Sequence, residues 1–172
     1  MAILFQFNQK KAIEAILYLA QRVTDADVYG ISKLLYLVDK TSLEKYGRFV
    51  FGESYAAMKE GPVPSNAYDL LKLAAKEPVN GLQVKGNQVV SLRDPDLDLL
   101  SESDIECLDQ IIGVYGHFPN WIRARDAHDE AWKKSWGKRG HKNSIKMPVE
   151  SIAKLLADST ELIDYLANRD AS

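Results

Sequence analysis

The side chains here that could do chemistry fall into three groupings. Arg125-Asp126-Ala127-His128-Asp129-Glu130 sets an imidazole among carboxylates, which is the material of general acid–base catalysis. Sequence neighbours on a helix do not face one another, however. No nucleophile motif stands nearby, and neither Gly47-Arg-Phe-Val-Phe-Gly52 nor Gly61-Pro-Val-Pro64 has the glycine pattern of a phosphate or dinucleotide loop. The expectation is a protein that is not an enzyme. The second grouping is His117, His128, His141 and the single Cys107. No two histidines have the four-residue spacing of a helical metal site and the cysteine has no second thiol, so neither a metal nor a cofactor is expected. The third is basic. Arg123, Arg125, Lys133, Lys134, Lys138, Arg139, Lys142 and Lys146 face only Asp126, Asp129 and Glu130 over their stretch, and Trp121, Trp132 and Trp136 are interleaved with them.

Bases among aromatics suit nucleic acid, where cations meet phosphates and rings stack on bases. They equally suit a protein interface, where Trp and Arg are favoured anchors. A solvated stretch with its tryptophans in the core is the plain alternative. Protein ranks ahead of nucleic acid because the net charge is −2. The absence of a cysteine pair indicates a reducing compartment. No basic leader and no apolar run of membrane-spanning length is present, so the reading is cytoplasmic with no membrane partner.

These residues must be held by the elements around Gly30–Asn66. Ile31, Leu34, Leu35 and Val38 form one apolar helical face, widened by Leu37. Tyr36 and Leu43 lie opposite, flanked by Lys33 and Lys40. A helix apolar on two sides is a central one. Either another element covers Tyr36 and Leu43, or they form a partner groove with a lysine rim. Gly47 is placed as the C-cap, and Gly61-Pro62-Val63-Pro64 as a rigid loop. Before this helix, Asn8 caps a first helix over 9–23 and Asp27 caps the central one. The pair admits a helix-turn-helix reading.

Beyond Gly47, Phe49–Phe51 reads as a strand or an extended link, and Ser54–Glu60 as a helical turn packing Tyr55 and Met58. A helix starting at Ser65 or Asn66 and running to about Lys76 follows. Residues 81–92 alternate as a β-hairpin. Ser101–Asp104 caps a helix carrying Ile105, Leu108, Ile112 and Tyr115. Trp121–Trp136 is helical in part. Pro148 opens one final helix with Ile152, Leu155, Leu156, Leu162, Ile163 and Leu166 on its face. The fold class is mainly α: one domain over 1–172, a helical bundle around a buried central helix with a small β-hairpin.

Lys33-Leu-Leu-Tyr-Leu-Val-Asp39, Tyr46-Gly47-Arg48, Tyr55-Ala-Ala-Met-Lys59 and Gly61-Pro-Val-Pro64, in that order, resemble the Panacea domain of SocA-like antitoxins. Ala127-His128-Asp-Glu-Ala-Trp132 resembles the family's downstream His-to-Trp segment. Phe49 stands where proline is common, and Ala127 where a small hydroxyl residue is. The resemblance implies an antitoxin of bacterial or phage origin whose partner is a toxin from the same operon. Neutralisation would be by direct contact or, as in the SocA type, by delivery to a host protease. A regulator of its own operon is the nucleic-acid alternative. On this reading Lys33, Tyr36, Lys40, Leu43, Tyr55, Lys59, Trp121, Arg125 and Trp136 are candidate partner contacts. Gly47, Gly61, Pro62, Val63, His128 and Trp132 are motif residues with structural roles.

Overall fold

A computed structural model describes residues 3–169 of the chain. The described residues are mainly helical, with two small antiparallel sheets. Helix α1, Gln9–Arg22, starts at Asn8, whose side chain accepts from the Lys11 N–H. Helix α2, Val28–Tyr46, starts at Asp27 and ends on Gly47 at φ 69°. That left-handed conformation explains the glycine. Helix α3 is Ser65–Lys76, and α4, Glu102–Tyr115, carries a complete Ser101–Asp104 capping box. Helices α5, Asn120–Ala127, and α6, Glu130–Gly137, share the tryptophan stretch.

Helix α2 contributes to two apolar clusters. Ile31, Leu34, Leu35 and Val38 join α1, α3, α4 and the hairpin; Tyr36 and Leu43 join Phe49, Tyr55, Ala127, Ala131, Met147 and Ile152. Its contacts reach α4, α5, α3, α1 and residues 61–64. Tyr36 and Leu43 are both 0% exposed, so the partner-groove reading of that face is corrected: Phe49 and Tyr55, with segments from the second half of the chain, cover it. Burial along α2, from Gly30 to Asp39 and at Ser42 and Leu43, also removes the helix-turn-helix reading. A recognition helix must lay its side chains in a DNA groove, and these face protein.

The sheets depart most from expectation. Strand β1 is Tyr55–Met58, β2 is Gly61–Pro64 and β5 is Ser144–Lys146, in the order β2-β1-β5. The expected helical turn over 54–60 is therefore a strand with Tyr55 and Ala57 turned inward, a period of two. The expected proline loop is an edge strand, where proline is tolerated because only one side pairs. Phe49–Phe51 is a bent link. Strands β3, Leu82–Lys85, and β4, Gln88–Ser91, form the hairpin of residues 81–92. The expected final helix is two, α7 at Val149–Ala153 and α8 at Ser159–Asn168, with Asp158 left-handed at φ 56° between them. Pro148 sits just before α7 rather than inside it. Among the described residues no helix is long and apolar enough to cross a membrane.

Candidate functional site

The motif residues of α2 form a row of tethers. Lys33 Nζ donates to the Pro62 carbonyl at 2.8 Å, fixing β2. One turn on, the Tyr36 hydroxyl donates to Asp129 Oδ2 at 2.7 Å, and Lys40 pairs with the same oxygen at 2.8 Å. Asp129 Oδ1 in turn accepts from the Trp132 N–H, capping α6. Asp39 accepts from the Val50 N–H at 2.8 Å and the Tyr55 hydroxyl at 2.7 Å. Burial pushes the Asp39 carboxyl up to about 7 against the pull of those hydrogen bonds. The Trp132 indole closes the circuit by donating to the Met58 carbonyl at 2.8 Å.

His128 stacks on Trp132 with 4.4 Å between centroids, and its buried Nε2 has no hydrogen-bond partner among the described residues. Gly61, at φ 117°, lets β2 pass this ring: a Cβ there would lie 2.7 Å from His128 Nε2. The carboxylates beside His128 in sequence diverge in space. Asp126 meets Arg125 and Tyr115, Glu130 meets Lys133, and Asp129 meets Tyr36 and Lys40. The acid–base grouping of the sequence is therefore not assembled.

The basic stretch also disperses. Arg123 is buried and donates to the carbonyls of Thr24, Asp25, Tyr115 and Gly116, tying α5 to the α1–α2 turn. Trp121 is 65% exposed on α5 with the Arg125 guanidinium 5.8 Å from its ring centroid. Neither lines the main cavity described next.

That cavity is a groove of about 700 Å³, of the size of a ligand or peptide-anchor site. The N-terminal turns of α2 form its floor. The β1–β2 turn with Lys59 and Glu60 makes one wall, and Trp136 with the loop 139–143 makes another. Its cations are Lys33, Lys59, Arg139 and Lys142, against the single acid Glu60. Among the described residues none of these four cations has an ion-pair partner. Elsewhere two buried acids are matched by cations, Glu14 by Arg93 and Asp104 by Lys11 and Arg48, while the buried Asp39 and Glu53 are held by hydrogen bonds. Lys33 is only 1% exposed, and burial lowers its ammonium to about 8, opposed by Glu60.

The groove brings together Lys33, Lys59 and Trp136 of the expected contacts, and Val63 of the motif residues. It does not include Tyr36, Leu43 and Tyr55, which are core residues, nor Lys40, which is committed to Asp129. These four are corrected as direct contacts in this conformation: each faces the packed interior or its partner, not solvent. Sequence reading missed Tyr29 and Tyr68, and it named Arg139 and Lys142 in the basic stretch without singling them out as contacts. Tyr29 had a signal, one turn before Lys33 on the same helix face. Arg139 and Lys142 flank Gly140 and His141 just beyond α6. Also missed was Glu53, buried, which accepts from the Ser54, Asn66 and Ala67 N–H groups and so caps α3 in place of Pro64.

A family model described as the SocA-like antitoxin, Panacea domain, matches residues 31–133, more than half of the chain. No curated protein and no solved structure matches. The matched segment holds the tethers and, in the groove, Ser32, Lys33 and the β1–β2 wall, while Val28 and Tyr29 lie before it and Trp136 and the loop 139–143 beyond it.

Proposed function

The chain belongs to the SocA-like Panacea antitoxin family, and we propose that it neutralises a cognate toxin protein from the same operon by direct binding in the cytoplasm. The observation that supports this reading is the groove over Lys33, where four cations face the single acid Glu60 and none is ion-paired among the described residues, in a protein of net charge −2. Unpaired charge at the edge of a concave surface is what a complementary partner uses for steering and register. The motif residues serve it indirectly. Their tethers fix β1, β2 and α6 on α2 and thereby hold the walls. In this reading the chain is one domain, a helical bundle with α2 as its axis, and its role is binding rather than catalysis. Trp121 and Arg125 are proposed as a contact outside the groove, where an exposed indole under a guanidinium suits an interface.

The test is growth of cells expressing the adjacent reading frame, alone and with this chain, in hosts with and without their ATP-dependent proteases. Arrest alone, rescue in both hosts and co-purification of the pair are expected. Rescue confined to the protease-containing host would replace direct neutralisation by adaptor-mediated degradation. A harmless neighbour would remove the antitoxin reading.

A further inference from the structure

We propose that the groove seats an acidic segment of the partner toxin, with an Asp or Glu carboxylate set on the Lys33 ammonium at its floor. This inference rests on the antitoxin reading and names the chemistry of the partner. An ammonium has three donors, and the structure gives Lys33 one hydrogen bond, to the Pro62 carbonyl. Its Nζ also lies 5.0 Å from the centroid of the Tyr29 ring. A cation so buried, with Glu60 acting on it only from beyond ion-pair distance among the described residues, has already lost its water in folding. An arriving carboxylate therefore brings only its own desolvation to the pair, and it meets the charge in a less polar medium than bulk water.

Around this floor the exposed Lys59 and Lys142 and the half-buried Arg139 offer further cations from two opposed walls. Such a spacing suits a segment with several acids better than one isolated anion. The aromatic residues argue against a nucleic acid in the same place. Trp136 is already stacked by the Arg139 guanidinium at 3.9 Å and by Trp132. Lys33 lies over Tyr29, and Lys72 lies 4.9 Å from the Tyr68 centroid. Single-stranded nucleic acid needs open ring faces on which bases stack, and these rings are engaged. Val28, Met58 and Val63 add apolar surface to the lining, which suits aliphatic stems between acids.

The experiment uses the full chain and the purified product of the adjacent reading frame, with affinity measured by calorimetry at low and high salt. Two variants are compared with wild type: Lys33→Met, and the surface triple Lys59→Gln/Arg139→Gln/Lys142→Gln, each checked for cooperative melting. The triple is expected to weaken binding about tenfold and to flatten its salt dependence. Lys33→Met is expected to weaken it about 30-fold or more while melting cooperatively. Should Lys33→Met not fold, the triple alone decides. An eight-residue polyglutamate peptide is expected to displace the toxin, whereas inorganic pyrophosphate and a single-stranded oligonucleotide are not. Unchanged affinity in the triple overturns the acidic-segment inference and leaves the antitoxin reading standing. Displacement by the oligonucleotide but not by polyglutamate overturns it as well. No binding of the toxin to wild type, with no rescue of growth, removes both.

Discussion

Replacing Lys33 by methionine should separate stability from function. Folding holds this ammonium at 1% exposure, and its proton affinity falls from the ordinary 10.5 to about 8. At about 1.4 kcal/mol per pH unit, that displacement corresponds to roughly 3 kcal/mol of destabilisation carried by the charged form. The sign follows from proton counting. Between about pH 8 and 10.5 the unfolded chain holds the Lys33 proton and the folded chain has released it. Stability therefore rises with pH across that window. Below it the whole cost is present, and above it the cost is gone.

Methionine carries no such proton. The stability of wild type minus that of Lys33→Met should be flat below about pH 7 and climb by up to roughly 3 kcal/mol towards pH 10.5. For a chain of this size that is a relative shift of about 6–12 °C in melting temperature. Tyrosine ionisation acts on both proteins alike and cancels in the difference. At neutral pH the variant should be the more stable protein by roughly 1–2 kcal/mol, once about 1.5 kcal/mol is allowed for the lost hydrogen bond to Pro62. Urea unfolding followed by circular dichroism from pH 6 to 11 gives both quantities. A difference that stays constant to within about 0.5 kcal/mol over that range would refute the reasoning, because Lys33 would then be no more desolvated than an ordinary surface lysine.

Glu53→Ala leaves the N–H groups of Ser54, Asn66 and Ala67 without their acceptor; a loss on the order of 3 kcal/mol in urea unfolding is expected, and under about 1 kcal/mol would contradict the capping role. Tyr36→Phe keeps the buried ring and removes only the bond to Asp129, so it should cost about 1–2 kcal/mol and leave toxin binding within about twofold, measured by melting and calorimetry. Asp39 holds its proton up to about pH 7 in the folded state against 3.8 in its ordinary state. Wild type should therefore lose up to about 4 kcal/mol relative to Asp39→Asn as pH rises from 4 to 7; a flat difference in urea unfolding over that range would show that the carboxyl is not buried in this way.

Most helices were legible because their ends are written in local chemistry. Asn8, Asp27 and Ser101 each cap the helix that follows, and Gly47 ends α2. The three-stranded sheet was not. Tyr55–Met58 is too short for its alternation to stand out, β2 contains two prolines, and the partner β5 lies far along the chain. The apolar second face of α2 was visible as a pattern, but periodicity cannot say what covers it. The covering residues, Ala127, Ala131, Met147 and Ile152, come from three later segments. The same limit applies to the site. Lys33, Lys59 and Trp136 could be picked out one by one as cations and an aromatic. Their convergence depends on a β-turn and a loop meeting over the start of α2, which no local spacing encodes. Lys33 was read as rim and is floor, because the Pro62 carbonyl and the Tyr29 ring draw its stem inward.

The central claim is that the groove is the surface that meets the toxin, and backbone amide hydrogen exchange of the free chain and of its complex with the adjacent gene product tests it most directly. New protection is expected at residues 58–61 and 136–143, with α4 unchanged. Protection confined to α5 around Trp121 and Arg125, or spread over α4 with the groove still exchanging freely, would contradict it.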